Sequence, residues 1–503
     1  MTWDVWIVAG YVMLLTAMGL RGGRKVKTAA DFSAGDSRYG AGVLFASLSA
    51  SYVGGGYSAG NAGEAFENGI GTTLALCGFS VAMILTGKYL VPGVERFRGQ
   101  STVGGVIGQA YGRPAQILTG IFSFFCCAGV VAAQMEGMGQ VFHTLLGISP
   151  LQGILLGSSI VLVYSTFGGL QSVIAADVVQ FVLLAAGLPL LLWLGLREAG
   201  GFGAVWQAIP AAYKDPLNGR GLLGFLSLFF SMMFGEALAP PYTQRLLVGK
   251  NAGETARATV ASGWFSLPVF CVTGCIGLAA YVLRVTDAAE LAMPALIVRV
   301  LPTGVRGLVM AAMLSIMLSA ADGFLNSAAI SLMCDTVKPL KPEISDRSQL
   351  FWLRFVNVAV GVLGIVIALW VGDIMNILML AYGFWCPLIL PPLAAALLGI
   401  DSDGRTFCRA LFSGLAATLV WTYLAGSPGG VDGSMVGMLV NTAVFAADTR
   451  RRRKRDTVLL KLQNPARKRR IVLKHTKPGG TLRQKDKIVQ KTEQSGFCTM
   501  PPK

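Results

Sequence analysis

Histidine is almost missing from this 503-residue chain, with only His143 and His475, and charged residues make up just 14% of it. Two histidines cannot complete a His/Cys zinc set, and no Cys-x-x-Cys pair accompanies them, so a zinc site is not expected. The nine cysteines mostly sit inside apolar runs and read as packing residues. Charge this sparse excludes an ordinary soluble enzyme, which carries about 25% charged residues. A hydrophobic content of 53% excludes an intrinsically disordered chain. The run Gly54-Gly55-Gly56 is not followed by Lys-Ser/Thr, so there is no P-loop and no ATP-driven pump is expected. No nucleophile–base constellation points to an enzyme, and no cofactor is implied.

What charge there is lies unevenly. The formal net charge is +16, but residues 449–503 hold 18 Lys+Arg against 3 Asp+Glu, which leaves the rest at about +1. The chain therefore divides into a nearly neutral, glycine-rich body at 1–448 and a basic tail at 449–503. The tail has no hydrophobic periodicity that would define a domain and reads as disordered and cytoplasmic. Its cluster Arg450 to Arg455 directly follows an apolar stretch and fits an anchor on anionic lipid headgroups rather than a nucleic-acid site.

Apolar stretches of about 20 residues cross a bilayer as helices. Thirteen are present, near 4–20, 41–66, 72–93, 115–145, 150–167, 171–197, 222–246, 258–284, 302–333, 350–371, 374–398, 407–425 and 434–448. The fold class is thus all-α integral membrane with about thirteen transmembrane helices. The first stretch has no small-residue cleavage site after it and reads as a retained helix. Alternate loops on one side carry seventeen Lys+Arg, among them Arg21, Arg96, Arg245, Lys338 and Arg405, against six on the other. That bias places the N-terminus outside and the tail in the cytoplasm, which requires an odd number of spans.

Two spans carry helix breakers. The second holds Gly54-Gly55-Gly56, then Gly60 and Gly63; the seventh holds Gly235 and Pro240-Pro241. Irregular backbone at membrane depth is tolerated where it lines a cavity. Matched interrupted spans in two halves point to an inverted-repeat transporter built from spans two to six and seven to eleven. Ionisable residues inside spans are costly and usually functional; here they are Glu64, Glu136, Asp177, Glu236 and Asp322. Glu136 and Glu236 are expected to bind solute or carry protons, with Asp177 nearer the inner end of its span.

Three segments carry a family resemblance. They are Tyr164-Ser-Thr-Phe-Gly-Gly-Leu-Gln-Ser-Val-Ile-Ala-Ala-Asp177-Val-Val-Gln180, Pro241-Tyr-Thr-Gln244-Arg245, and Leu318-Ser319-Ala320-Ala321-Asp322-Gly-Phe-Leu325-Asn326-Ser327. In this order, with thirteen spans, the body resembles the sodium:solute symporters. Ala50-Ser-Tyr-Val-Gly-Gly-Gly-Tyr57 looks most like the choline-transporter-like branch. The resemblance implies a LeuT-type five-helix inverted repeat with substrate at the midplane, near Tyr52, Gly54, Gly55, Gly56, Tyr57, Phe79, Glu136 and Glu236. It implies a sodium site at Ala50, Val53, Ile316, Ser319 and Ala320, and coupling or gating roles for Asp177, Gln180 and Asp322. Alanine at 320 has no side-chain oxygen, so the sodium site is degraded by one ligand for a hard cation. Ala239 stands where the choline-like branch has a tryptophan, which leaves an aromatic cage for a quaternary ammonium incomplete.

The expected function is secondary active transport across the cytoplasmic membrane. A small solute would move with Na+ or H+ by alternating access. The alternative is a membrane sensor that keeps the symporter fold without active transport; it needs a cytoplasmic output domain, for which the tail offers no pattern.

Overall fold

The computed structural model describes residues 3–24, 26–33, 38–217, 219–383 and 385–463. Among these, every regular element is helical, and the only strand-like pairing is an isolated bridge between Tyr39 and Gly249. Two compact units are distinguished, Met1–Phe445 and Ala446–Lys503.

Among the described residues, eight helices are long and apolar enough to cross a membrane, or nine if the bent pair Gly221–Gly235 and Pro240–Leu247 is one span. The other expected spans are helical too, but breaks or charge divide them. Spans five and six run together as Pro150–Glu198, which is non-helical at Gly169 (φ 64, ψ 175). Only glycine adopts that conformation without strain, and a Cβ there would lie 3.0 Å from the Phe32 carbonyl oxygen. Span two consists of Ala41–Tyr52, a π-helical turn Gly56–Gly60 and Asn61–Asn68.

Span eleven departs from the continuous helix expected over 374–398. It is Ile374–Gly383 and Leu390–Leu397 joined by turns. Pro391 and Pro392 have no N–H to give to the carbonyls of Pro387 and Leu388 four residues earlier, and these accept instead from Asn441 Nδ2 at 2.9 and 3.0 Å. The last helix, Gly433–Gln463, also differs from expectation, because it continues through the basic cluster instead of ending at 448. Arg and Lys are good helix formers, and Arg451 reaches back one turn to Asp448 at 3.9 Å. The remainder of the tail, 464–503, lies outside the described residues.

Burial sorts the helices. In Val305–Leu340 the apolar window is 94% buried, which makes this helix the axis of the body. The windows of Trp3–Gly23, Asp346–Val371 and Gly404–Leu424 are only 28%, 33% and 22% buried. Their outward side chains, such as Trp370 and Leu424, present apolar surface suited to lipid. Close approach through small residues holds the interior together. A Cβ on Gly277 would sit 2.1 Å from the Ala62 carbonyl oxygen, so helix Ala252–Leu283 packs backbone-to-backbone on span two.

Candidate functional site

Three breaks converge at the centre of the body. In span two the helix ends at Tyr52, and the freed Gly55 N–H donates to Gln134 Oε1 at 2.6 Å. Ser58 Oγ donates to the Gly54 carbonyl at 2.9 Å. Gly54 faces Ala320, and any Cβ on Gly56 would collide with Leu378. In span seven the helix ends at Gly235, and the next begins at Pro240 with Pro240 and Pro241 in its first turn, where a missing N–H costs nothing. Between them Leu238 is held at φ 54, a left-handed conformation that is strained for leucine. Its carbonyl accepts from Thr243 Oγ1 at 2.6 Å. Span eleven locks the same turn, with Trp385 Nε1 donating to the Ala237 carbonyl at 2.8 Å.

Glu236 occupies the middle of the second break and is 2% exposed. Tyr242 donates its hydroxyl to Glu236 Oε2 at 2.9 Å, and the Tyr57 hydroxyl also interacts with this carboxylate. Tyr57 in turn meets the Tyr382 hydroxyl at 3.0 Å. Ring contacts tie the group together: Tyr52 lies 4.4 Å from Tyr242 and 5.1 Å from Phe79, and Tyr57 lies 5.1 Å from Phe79 and 5.2 Å from Phe270 between centroids. A closed pocket with no water-sized space lies between the breaks, walled by Tyr52, Gly54, Gly56, Tyr57, Gln134 and Glu236.

The structure therefore brings together the expected Tyr52, Gly54, Gly55, Gly56, Tyr57, Phe79 and Glu236. Glu136 is placed elsewhere. It is 7% exposed on helix Arg113–Leu146, receives a long contact from Gln140 Nε2 at 3.4 Å, and feels the charges of Glu290 and Asp373. Those two acids line a separate cavity of about 330 Å3. A further cavity of about 440 Å3, lined by Thr28, Arg38, Gln100, Lys338 and Gln349 among others, opens at the other end of the helices.

The residues expected around sodium lie on the facing surfaces of spans two and nine. The hydroxyl of Ser319 donates to Asp177 Oδ1 at 2.5 Å and is 3.5 Å from Ser51 Oγ. Ala320 contributes a methyl group beside Gly54. Asp177 also accepts from Ser47 and from Arg245 Nη2, the latter at 2.9 Å with both side chains fully buried. Arg245 spends its remaining donors on Ser47 Oγ at 2.7 Å, Ser51 Oγ at 2.7 Å and the Pro241 carbonyl at 3.0 Å. Asp322 sits one turn away in its own network, where Asn326 Nδ2 donates to Asp322 Oδ1 at 2.8 Å and to Ser165 Oγ at 2.9 Å. Gln180 is buried beside Tyr11 without a hydrogen bond of ordinary geometry.

Sequence reasoning missed Gln134, Tyr242, Tyr382 and Trp385 as parts of the site. From span eleven Tyr382 reaches the Tyr57 hydroxyl, and Trp385 fixes the backbone of the second break at Ala237. The signal available for that break was Gly383 followed by Pro387.

Interrupted helices five spans apart, closing on a midplane pocket, define a LeuT-type membrane-transport fold with an inverted repeat of spans two to six and seven to eleven. The chain belongs to the sodium:solute symporter family, which matches residues 32–402. It is 25% identical over 366 residues to solute carrier family 5 member 4A of Mus musculus, covering 63% of this chain and 55% of that protein. It is 25% identical over 393 residues to the sodium/glucose cotransporter of Vibrio parahaemolyticus, covering 68% of this chain and 70% of that protein. The chain thus spans just over half the length of the mouse relative. A solved Na+-coupled sialic acid symporter, substrate-bound and outward-open, aligns with a TM-score of 0.75 at 19% identity, covering 89% of this chain and 98% of that chain.

Proposed function

We propose that this protein is a cation-coupled symporter that moves a small solute across the cell membrane by alternating access. The observation that supports it best is the closed pocket at the two matched breaks, set between an outer cavity of about 330 Å3 and an inner one of about 440 Å3. Helices broken at a central site can rock as bundles and expose it to one side at a time. Solute would bind against Tyr52, Gly54, Gly55, Gly56, Tyr57, Phe79 and Glu236, with Gln134 and Tyr242 added to that set.

The coupling ion would be Na+ or H+. A Na+ between spans two and nine would take carbonyl oxygens from Ala50, Val53 and Ile316 and the Ser319 hydroxyl, which already serves Asp177. Ala320 offers no fifth oxygen, so sodium binding would be weak. A proton would use the buried carboxylates of the same region, with Asp177, Gln180 and Asp322 transmitting the change. The charge bias of the loops supports an outer N-terminus and a cytoplasmic tail lying against anionic lipid headgroups.

Uptake into proteoliposomes, with sodium and pH gradients imposed separately, tests this reading. Concentrative uptake driven by either gradient is expected. A protein that accumulates no solute under either gradient contradicts it.

A further inference from the structure

Glu236 lines the closed pocket and has no positive partner there. None of the described residues that wall the pocket is lysine, arginine or histidine, and Glu236 joins no ion pair among the described residues. Arg245, on the same span, is taken up by Asp177. The titratable groups that do face Glu236 are weak acids. Tyr242 is on its own span, Tyr52 and Tyr57 are on span two, Tyr382 is on span eleven, and the buried thiols of Cys126 and Cys127 on span four feel its charge. Phe79, Phe270 and Phe324, from spans three, eight and nine, pack on the tyrosine rings and bring no charge.

The hydrogen bonds at Glu236 suit it with or without a proton. As a carboxylate it accepts from Tyr242 at 2.9 Å and from Tyr57. As a carboxylic acid it donates to the Tyr57 oxygen, and Tyr57 then donates to the Tyr382 hydroxyl 3.0 Å away. Each phenolic hydroxyl can both give and accept.

The pocket is dry when shut. It has no water-sized space, and a Cβ on Gly56 or Gly235 would collide with Leu378 or Tyr382 of span eleven, so its walls meet directly. A carboxylate enclosed there has hydroxyl dipoles in place of water, which makes its charge costly. A proton removes that cost. Once the breaks part and water enters, the carboxylate is solvated and gives the proton up. Closure is thereby linked to proton uptake, and acid favours the closed form.

We propose that Glu236 is a proton site that governs the pocket: a proton on its carboxylate holds the pocket shut, and release of that proton lets the breaks open to solute. This rests on reading the pocket as the transport site. On closure one H+ leaves water and forms an O–H bond on Glu236; on opening that bond ionises and the H+ returns to water. The device works whichever ion drives transport. The turn that carries Tyr57 runs on into Ala59 and Gly60, which line the cavity of about 330 Å3 together with Glu64, Glu67, Asp287, Glu290 and Asp373. Their negative potential raises proton activity at that approach. Solute binds the open form, so its apparent affinity weakens as pH falls, by up to about tenfold per unit, until the solvated carboxylate itself protonates near about pH 4. A driving proton carried by Glu236 would strengthen solute binding in acid instead.

The test follows hydrogen–deuterium exchange of the full chain in detergent over residues 54–60 and 235–247, from about pH 8 to about pH 5. With the intrinsic pH dependence of amide exchange divided out, protection is expected to rise as pH falls, by up to about tenfold per unit. In Glu236→Gln, which has no proton to lose, protection should be high and level across the range. Tyr242→Phe removes a hydroxyl donor to the carboxylate; it should move the rise to higher pH, and it keeps the test open if Glu236→Gln does not fold. Protection that is level in the parent, that falls in acid, or that varies in Glu236→Gln as it does in the parent overturns the proposal and leaves transport standing. A pH-linked pocket in a protein that takes up none of proline, glucose and lactate under a sodium or a pH gradient keeps the switch and contradicts the transport reading.

Discussion

The Asp177 site and the Glu236 site hold buried charge in opposite ways. Asp177 is matched to Arg245, and Ser47, Ser51, Ser319 and a backbone carbonyl take up the remaining donors and acceptors. Glu236 is also buried but meets hydroxyls, and Glu136 an amide. A paired and fully hydrogen-bonded ion pair can persist in a low-dielectric interior, whereas a partnerless carboxylate awaits a ligand or a proton. The Asp177 cluster thus reads as a fixed joint between spans two, six, seven and nine, and Glu236 as a receiver.

Perturbations of the two sites should separate accordingly. Arg245→Ala strands Asp177 without its partner and is expected to cost about 3–5 kcal/mol, seen as a large loss of thermal stability in detergent together with loss of uptake. Pairing it with Asp177→Asn should recover part of that stability, since the uncompensated charge is then gone. Gly169→Ala forces a side chain into φ 64 against Phe32, at the turn from which the Asp177 helix starts. It should cost about 1–3 kcal/mol, measured by the same unfolding assay.

Ala320→Ser restores a hydroxyl facing span two. If Na+ drives transport, it should lower the sodium concentration for half-maximal uptake by about tenfold, or ~1.4 kcal/mol; an unchanged sodium dependence would place the ion elsewhere. Asp373→Asn, one of five acids lining the cavity of about 330 Å3, should shift apparent solute affinity by no more than about two- to threefold, an effect that disappears as salt shortens the Debye length to a few ångströms.

Much of this architecture is legible in residue order. Gly54-Gly55-Gly56 and Pro240-Pro241 mark breaks because their effects are local: glycine loosens its own backbone, and proline lacks its own N–H. Span eleven was read as one helix because its apolar run is unbroken in composition, although Gly383 and Pro387 lie within it. The pairing of Gly55 with Gln134 and of Tyr57 with Tyr382 joins residues 79 and 325 positions apart. No local pattern encodes such partners. Glu136 and Glu236 both stand inside apolar runs, but periodicity does not tell which of them the fold brings to the pocket between the breaks. Ala239 leaves the aromatic cage of the resemblance incomplete, and only the tertiary arrangement brings Tyr382 to Tyr57 and Trp385 to the Ala237 carbonyl.

The contrast between the two sites is tested most directly by measuring stability and uptake together for Glu236→Gln. A receiving carboxylate predicts unfolding free energy within about 1 kcal/mol of the parent, because glutamine can still accept from Tyr242, while solute uptake falls at least tenfold. A drop in stability comparable to that of Arg245→Ala, or uptake that survives the substitution, would contradict the assignment and make Glu236 a structural residue like Asp177.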